Sequence, residues 1–259
     1  MSSYEDLFSL KGRRVLISGG TSGLGKAMAS AFIGKGAYVA VCGTKPEKAR
    51  PLEEAARVAG TPFLALGCDV TRPEQVSRLT DQLEARFGYV DILINSAGAN
   101  RLLPAADYDD ETFRKVMDLN LNGLHTLTRE IGKRFMIPRN YGRILNISSV
   151  KSLIGATENY IAYCASKGAV NMYTRQLACE WGKYHITCNA IAPTFVRTPI
   201  NSFQLDDPQF YNALTKRIPL GRIGREEDIA CAALYLCSDA AAFVSGQVLC
   251  VDGGLTAMQ

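Results

Sequence analysis

The sequence predicts a single-domain α/β protein built on a doubly wound, parallel, seven-stranded sheet. Short, often β-branched apolar runs alternate with longer segments of helical period along the whole chain. A glycine-rich turn follows the first run directly, and no low-complexity linker, internal repeat or heptad pattern interrupts the alternation. Strands that are covered on both faces by crossover helices have this pattern. We therefore expect residues 1–259 to form one domain.

The predicted strands are short apolar runs taken in chain order: RVLIS, YVAVC, FLALG, ILIN, RILNI, ITCNAIA and QVLCV. They are placed at Arg13–Ser18, Tyr38–Cys42, Phe63–Gly67, Ile92–Asn95, Arg143–Ile147, Ile186–Ala192 and Gln247–Val251. Helices are predicted in the segments of helical period between them, at Leu24–Lys35, Pro46–Ala59, Pro73–Phe87, Asp110–Phe135, Tyr160–Tyr184 and Arg225–Cys237.

One segment, at about residues 193–220, breaks the alternation. It contains four prolines, polar residues and aromatic side chains without a regular period, and it is too irregular for a core element. Because it follows the carboxyl end of a strand, we expect it to be a substrate lid.

Composition excludes several classes of protein. The 259 residues are 47% hydrophobic, which suffices for one large core and excludes disorder and a small disulfide-held fold. The net charge of +4 is small and spread along the chain, so no basic patch predicts binding to nucleic acid or to a membrane surface.

The amino-terminal sequence MSSYEDLFSLKGRR predicts no export signal, and no uncharged apolar run reaches the roughly 18 residues that span a bilayer. The eight cysteines are scattered without a CxxC pair, which is typical of small buried side chains in a reducing cytosol. Neither His125 nor His185 has a cysteine at zinc-ligand spacing. We expect a cytoplasmic protein without a metal site.

The turn after the first strand reads Ser18-Gly-Gly-Thr-Ser-Gly-Leu-Gly25. Its glycines permit a tight turn and a close approach of the backbone, and the free N–H groups and dipole of the following helix suit a pyrophosphate. A plain strand-to-helix loop has the same composition. The place of this turn between the first strand and the first helix favours a dinucleotide site.

The turn has the spacing GxxxGxG and resembles the short-chain dehydrogenase/reductase family. Other motifs resemble this family in the same order along almost the whole chain: Cys68-Asp69-Val70, Asn95-Ser96-Ala97-Gly98 with Ser96 at the family's second Asn, Asp118-Leu119-Asn120, Tyr163-Cys-Ala-Ser-Lys167, Asn189-Ala-Ile-Ala-Pro193 and Val251-Asp-Gly-Gly254. The resemblance implies a Rossmann fold, an NAD(P) cofactor and hydride transfer between nicotinamide and a carbon that bears oxygen.

The motifs imply the following cofactor-binding residues: Gly19, Thr21, Ser22, Gly23, Leu24, Gly25, Thr44, Lys45, Asp69, Val70, Asn95, Ala97, Gly98, Tyr163, Lys167, Pro193, Val196 and Thr198. By the resemblance, Thr198 contacts the nicotinamide carboxamide. Thr194 stands where the family has glycine, so it either tightens the cofactor pocket or shifts the lid.

The end of the second strand favours NADP over NAD. An acidic side chain about 20 residues past the glycines binds the ribose hydroxyls of NAD and repels the phosphate of NADP. Gly43 occupies this place, and Thr44 and Lys45 follow with a hydroxyl and an ammonium group. NAD stays open, because a solvated Lys45 at the start of the second helix explains the same residues and the family's usual arginine is absent at Thr44.

Tyr163 and Lys167 are one helical turn apart, so they lie on one face. A free tyrosine has a pKa near 10 and is no base at neutral pH unless a cation favours the phenolate. By itself, this spacing also fits an ordinary surface pair. The resemblance implies that Lys167 lowers the pKa of Tyr163 and binds the nicotinamide ribose.

Two further residues complete the predicted catalytic group. By the resemblance, Ser149 orients the substrate oxygen, and the loop from Ser149 to Tyr163 carries one residue more than is usual in the family. Asn120 stands in a helix, where asparagine is unfavourable. Either it holds a water that links Lys167 to solvent, as the resemblance implies, or it makes an ordinary amide bond in the core.

The loops that follow the predicted strands set the substrate. Polar side chains there favour a hydroxylated or acidic small molecule over a sterol: Arg101, Lys151, Glu158, Asn159, Arg197 and Asn201. A solvated loop charge explains Arg101 equally well. The chain looks most like gluconate 5-dehydrogenase-like members, which interconvert keto and hydroxy groups of sugar acids and polyols, and 3-oxoacyl-ACP reductase-like members share nearly every motif.

A dinucleotide-binding sensor or scaffold without turnover is a second class of function. A pure binder needs the glycines but not Asn120, Ser149, Tyr163 and Lys167 together, which favours the enzyme. The resemblance implies a homodimer or homotetramer, and the apolar stretches CAALYLC and AAAFVSGQVL supply either such a surface or ordinary core.

Overall fold

The computed structural model describes residues 4–155, 159–198 and 201–258. Within these residues, seven parallel strands form one sheet in the order β3-β2-β1-β4-β5-β6-β7. They are β1 (Arg14–Ser18), β2 (Tyr38–Gly43), β3 (Phe63–Gly67), β4 (Ile92–Asn95), β5 (Gly142–Ile147), β6 (Ile186–Pro193) and β7 (Val248–Val251). The doubly wound, seven-stranded sheet predicted from the sequence is confirmed.

The helices between the strands are α1 (Tyr4–Leu7), α2 (Gly23–Gly34), α3 (Arg50–Ala59), α4 (Pro73–Phe87), α5 (Asp110–Met117), α6 (Leu124–Ile131), α7 (Ile137–Arg139), α8 (Ile161–Trp181), α9 (Ser202–Leu205), α10 (Pro208–Lys216) and α11 (Glu226–Cys237). A 3₁₀ turn, Pro46–Ala49, precedes α3, and another, Gly182–Tyr184, follows α8. Most other predicted ends differ from these by about one residue.

Alternate side chains of each inner strand pack into two separate cores. Val15 and Ile17 of β1 lie in a cluster with residues of α2 and α11, including Phe32 and Leu236. Leu16, between them in sequence, lies in a second cluster with residues of α4, α6 and α8 on the opposite face. The sheet is therefore covered on both faces, which explains why apolar side chains predominate at successive positions of its inner strands.

Strand order reverses between β1 and β4, where Ser18 lies opposite Asn95 at the carboxyl ends of the two strands. Connections leave this point toward opposite edges of the sheet, so a crevice opens between them. In doubly wound sheets, ligands bind in this crevice.

The helix predicted over Asp110–Phe135 is longer than expected and is not uniformly α-helical. A π-helical turn, Asp118–Gly123, separates α5 from α6, and a second one, Gly132–Met136, separates α6 from α7. At Gly123, a Cβ atom would lie 2.8 Å from Cγ2 of Val70, so this wide turn packs directly on the loop after β3. The apolar spacing predicted one continuous helix here and gave no separate signal for these turns.

The segment predicted as irregular, residues 193–220, contains two helices, and that part of the prediction is wrong. Asp207 caps α10 by accepting a hydrogen bond from the Gln209 N–H at 2.9 Å, and Pro208 takes the first helical position. Leu205, Leu214 and Ile218 form a small core of their own. The Asp207 cap of α10 and this small core stabilise the two helices.

Ionic contacts lie at the amino ends of the strands, on the edge opposite the crevice. Asp239 accepts hydrogen bonds from Arg13 at 2.6 Å, from Arg143 at 2.9 Å and from the Tyr141 hydroxyl at 3.1 Å. Both guanidinium groups also lie over the Tyr141 ring, 4.8 and 4.6 Å from its centroid. This group of side chains ties β1 and β5 to the end of α11.

All eight cysteines are free thiols. Among residues 4–155, 159–198 and 201–258, no helix is both long and apolar enough to cross a membrane. The same ranges contain no group of three or more His, Cys, Asp or Glu side chains placed to hold a metal ion.

Candidate active site

A cavity of about 600 Å³ opens at the carboxyl edge of the sheet. Its wall comes from the turn after β1, the loop after β4, the end of β5, the first two turns of α8 and the segment after β6. The cavity therefore lies in the crevice where strand order reverses.

The turn after β1 forms a glycine cradle at one end of this cavity. Gly19 has φ of +66°, and a Cβ atom there would lie 2.8 Å from the main chain of Ala97. A Cβ atom at Gly25 would lie 2.3 Å from the carbonyl oxygen of Gly19. Ser22 stands just before α2, and its side chain makes no capping hydrogen bond. It therefore does not occupy the first N–H groups of α2. A backbone packed this closely at a helix start fits the pyrophosphate of a dinucleotide.

Three of the four predicted catalytic residues line the cavity: Ser149, Tyr163 and Lys167. Ser149 lies just after β5, and its hydroxyl accepts a hydrogen bond from the Lys151 N–H at 3.2 Å and bonds to the Tyr163 phenol. Because α8 begins at Ile161, Tyr163 and Lys167 lie one turn apart in its first two turns. The arrangement brings a hydroxyl, a phenol and an ammonium group to one wall.

Burial controls the pKa of both residues on α8. Burial raises the pKa of Tyr163 to about 12, and the hydrogen bond from Ser149 opposes this shift. Burial lowers the pKa of Lys167 to about 8. The Lys167 ammonium lies 5.7 Å from the centroid of the Tyr163 ring and donates to the carbonyl oxygen of Ile147 at 2.7 Å. In the protein alone, the net shift of the Tyr163 pKa is upward, and burial is its largest cause.

Asn120, the fourth predicted catalytic residue, lies behind the cavity wall in the π-helical turn and is 1% exposed. Its amide accepts from the Ala99 N–H at 2.8 Å and donates to the Ala99 carbonyl at 2.9 Å. It also donates to the Ser166 hydroxyl at 3.0 Å. A Cβ atom at Gly98 would lie 3.2 Å from Oδ1 of Asn120 and 3.6 Å from Nζ of Lys167. The loop after β4, which contains Gly98, therefore packs close to both side chains.

Of the residues predicted to bind a cofactor, twelve line this cavity: Gly19, Ser22, Gly23, Leu24, Gly25, Ala97, Gly98, Tyr163, Lys167, Pro193, Val196 and Thr198. Thr198 lies beside the glycine turn, because a Cβ atom at Gly23 would contact its side chain at 3.5 Å. Thr194, which replaces the family glycine, also lines the cavity, and its buried hydroxyl has no hydrogen-bond partner.

The other predicted cofactor residues lie outside the lining of this cavity: Thr21, Thr44, Lys45, Asp69, Val70 and Asn95. Asn95 is buried beneath the site, where it donates to Thr128 at 2.9 Å and to Asn146 at 2.8 Å. The Asp69 carboxylate accepts from the N–H and hydroxyl of Thr71 at 3.0 and 2.8 Å, which holds the turn after β3.

At the end of β2, a Cβ atom on Gly43 would lie 3.1 Å from the Thr21 hydroxyl, so the glycine packs against the first turn. Thr44 and Lys45 follow it and are exposed. Neither of them is a carboxylate, and both lie at the carboxyl edge of the sheet.

The predicted substrate residues divide into two groups. Arg101, Lys151 and Asn201 line the cavity. Arg197 does not, because its guanidinium pairs with Asp206 at 2.5 Å and donates to the Leu205 carbonyl at 3.1 Å. Asn159 is also absent from the lining. Glu158 lies outside the described residues.

The sequence analysis missed several side chains of the cavity wall, among them Asn100, Tyr160 and Gln204. Tyr160 lies three residues before Tyr163, so helical spacing is a signal that places both on one face. The rings are 6.3 Å apart, and Gln204 of α9 lies 3.5 Å from the Tyr160 hydroxyl. No sequence signal identifies Gln204, which reaches the wall through the tertiary fold.

Comparisons with known proteins agree with this geometry. A family model described as enoyl-(acyl carrier protein) reductase matches residues 19–256. An NAD-dependent glycerol dehydrogenase of Listeria innocua is 38% identical over 98% of this chain and 97% of its own length. A 3beta-hydroxysteroid dehydrogenase of Eggerthella lenta is 39% identical over 98% of this chain and 96% of its own length.

Among solved structures, a gluconate 5-dehydrogenase from Burkholderia cenocepacia, in complex with NADP and tartrate, is 37% identical and superposes with a TM-score of 0.93. The match covers 98% of this chain and 99% of that one. Matches of this extent, together with the glycine cradle and the Ser149, Tyr163 and Lys167 group, show that the chain belongs to the short-chain dehydrogenase/reductase family of oxidoreductases.

Proposed function

We propose that this chain transfers a hydride between NADP and the carbonyl or secondary alcohol carbon of a sugar acid, ketose or polyol. One observation carries the proposal: the Ser149 hydroxyl, the Tyr163 phenol and the Lys167 ammonium share one wall of a cavity that begins at the glycine cradle. A proton donor and a dinucleotide cradle in one cavity suit a carbonyl reductase.

Tyr163 acts as the proton donor when a ketone is reduced. With a pKa of about 12, the phenol is protonated at neutral pH. Ser149 bonds to this phenol, so its hydroxyl also holds the substrate oxygen within reach of the same proton. Lys167, with a pKa of about 8, is mostly charged at neutral pH and binds the nicotinamide ribose. The bound nicotinamide supplies the hydride. Asn120 holds a water on the proton path to Lys167 through an acceptor atom, because both hydrogens of its amide are bonded to Ala99 and Ser166.

NADP is favoured by the end of β2. Gly43, Thr44 and Lys45 present no carboxylate there, and the exposed hydroxyl and ammonium can both bind a 2′-phosphate. The structural relative from Burkholderia holds NADP, whereas the Listeria relative is named for NAD. The two relatives therefore support different cofactors. The preference for NADP over NAD rests on the ammonium group of Lys45 and on the absence of a carboxylate at the end of β2. Thr21, Asp69 and Val70 bind the adenine half, with Asn95 behind the loop after β4.

The charge of the cavity supports a hydroxylated or acidic substrate. Its described lining includes three basic side chains, Arg101, Lys151 and Lys167, and contains no Asp or Glu. The gluconate 5-dehydrogenase relative was solved with tartrate, a hydroxylated dicarboxylate. The steroid dehydrogenase relative is equally similar in sequence, so identity alone does not select the substrate. A 3-oxoacyl thioester is the alternative, and residues 193–220 are the proposed lid.

Exposed apolar side chains support assembly into a homodimer or homotetramer, and a cytoplasmic location remains part of the proposal. Phe243 is fully exposed, and Leu249 on the edge strand β7 and Tyr235 on α11 are 39% and 37% exposed. These side chains lie in the two apolar stretches singled out in the sequence, so those stretches are not wholly core. Light scattering against the monomer mass of 28.2 kDa distinguishes a monomer, a dimer and a tetramer.

Nicotinamide absorbance over time tests the proposed function, with NADPH and NADH in parallel. The substrates are pools of keto-sugar acids, ketoses, acyl thioesters and steroid ketones. We expect consumption of NADPH with the sugar-acid or ketose pool. Turnover of another pool alone would replace the substrate class. Nucleotide binding without turnover in any pool would favour a sensor or scaffold without turnover.

A further inference from the structure

The hydroxyl of Ser166 lies between the cavity loop and the helix turn that carries Tyr163 and Lys167. It donates to the main-chain carbonyl oxygen of Tyr163 at 2.8 Å and accepts from Nδ2 of Asn120 at 3.0 Å. Ser166 is 0% exposed. Nothing in the proposed proton transfer uses this hydroxyl, because it points behind the catalytic side chains.

The hydrogen bonds of Asn120 leave it one orientation. Its Oδ1 accepts from the Ala99 N–H, and its two Nδ2 hydrogens go to the Ala99 carbonyl and to Ser166. Rotating the amide by 180° would oppose donor to donor and acceptor to acceptor at Ala99. The Ser166 hydroxyl is therefore an obligatory acceptor for the last hydrogen of the amide.

These hydrogen bonds join three elements that are far apart in the sequence. The loop after β4 carries Ala97 and Gly98 on the cavity wall, the π-helical turn carries Asn120, and α8 carries Tyr163 and Lys167. No charged group takes part, and the bond between Asn120 and Ser166 is buried, so water does not compete for that bond. The position of the cavity loop is thereby linked to the position of the Tyr163 turn.

We propose that Ser166 is a positioning residue that, through Asn120, sets the distance between the cofactor-facing loop at Ala97–Ala99 and the Tyr163 phenol. This inference rests on the proposed function. Small displacements of the reacting groups, of about 1 Å, reduce the rate more than they reduce binding, because the reacting atoms must be aligned. Loss of the Ser166 hydroxyl should therefore lower kcat and leave nucleotide binding nearly unchanged.

A double-mutant cycle on Ser166→Ala and Asn120→Ala tests the route of this effect. We expect Ser166→Ala to lower kcat about fivefold in the wild-type background and less than about twofold in the Asn120→Ala background. The dissociation constant for NADPH, measured by fluorescence, should change less than about twofold in Ser166→Ala. Ser166→Cys, which keeps a weak donor, should recover part of the rate, and it replaces the alanine variant in the cycle if that variant does not fold.

Thr174→Val is the matched control. Thr174 is a buried hydroxyl in the same helix that donates to the Val170 carbonyl at 2.8 Å and accepts from Asn146 at 2.9 Å, away from Asn120. Its loss should lower stability with little change in kcat. Equal losses of kcat for Ser166→Ala in both backgrounds, or an equal loss for Thr174→Val, would overturn the inference while the proposed function stands. A wild-type chain without turnover would overturn both.

Discussion

The ammonium group of Lys167 donates to the main-chain carbonyl oxygen of Ile147, with 2.7 Å between the two atoms. Ile147 is the last residue of β5, so this bond ties helix α8 to the sheet next to Ser149. The bond holds the ammonium 5.7 Å from the centroid of the Tyr163 ring. Burial is the largest cause of the raised pKa of this phenol in the protein alone.

The pH dependence of the two reaction directions should differ. Burial raises the pKa of Tyr163 to about 12, so the proton donor for reduction is present throughout the neutral range. Burial lowers the pKa of Lys167 to about 8, so its charge is lost as pH rises through 8. We expect kcat/KM for reduction to fall above about pH 8 and kcat/KM for oxidation to rise from pH 7 to 9, as the phenolate fraction grows. An oxidation rate that is highest below pH 7 would contradict this assignment.

Tyr163→Phe should remove turnover and keep nucleotide binding. The substitution deletes the proton donor without changing the packing of the ring, so kcat should fall by about 10²- to 10⁴-fold. Fluorescence titration with NADPH should give nearly the wild-type dissociation constant. Tyr173→Phe, farther along α8, is the control and should keep the wild-type rate. A Tyr163→Phe variant with near wild-type kcat would refute the catalytic role.

Lys45→Ala should weaken NADPH more than NADH. The ammonium of Lys45 is exposed at the end of β2, where a 2′-phosphate would be bound. Loss of one charged phosphate contact should raise the dissociation constant of NADPH about tenfold and that of NADH less than twofold. Lys48→Ala, at an exposed lysine in the following 3₁₀ turn, controls for net charge. Equal weakening of both nucleotides by Lys45→Ala would place phosphate recognition elsewhere.

Gly25→Ala should abolish tight nucleotide binding. Its Cβ atom would lie 2.3 Å from the carbonyl oxygen of Gly19, so the turn or the helix must shift. We expect at least a tenfold rise in the dissociation constants of both NADPH and NADH, because both share the pyrophosphate. Gly34→Ala, at the end of the same helix, is the control, since nothing lies within 4 Å of a Cβ atom there. Unchanged binding by Gly25→Ala would argue against the cradle.

Asp239→Asn should lower stability without affecting the site. The substitution removes the charge that faces Arg13 and the buried guanidinium of Arg143, at the edge opposite the cavity. Because Asp239 is 34% exposed, we expect a loss of about 1–3 kcal/mol in the free energy of unfolding, measured with urea. Asp81→Asn removes a more exposed pair with Arg134 and should cost less than about 1 kcal/mol. NADPH affinity should be unchanged in both variants.

The sequence alone determined the parts of this protein that depend on local properties. The alternating apolar runs predicted the sheet, because each strand must bury both faces whatever its neighbours are. The glycine turn was predictable in the same way, since Gly19 and Gly25 meet steric limits that a side chain violates. The motifs also identified Ser149, which follows the carboxyl end of β5, and the pair of Tyr163 and Lys167 near the start of α8.

Only the tertiary structure decided how those groups interact. The bond from Lys167 to Ile147, the clamp of Asn120 on Ala99 and the bond from Asn120 to Ser166 each join residues far apart in sequence. Helix α10 depends on the Asp207 cap, and α9 and α10 pack on a small core of Leu205, Leu214 and Ile218 that the sequence pattern did not predict. The pKa of Tyr163 depends on burial by the whole fold. A pattern of residue types carries the local preferences of the chain, whereas burial and long-range hydrogen bonds exist only once the chain has packed.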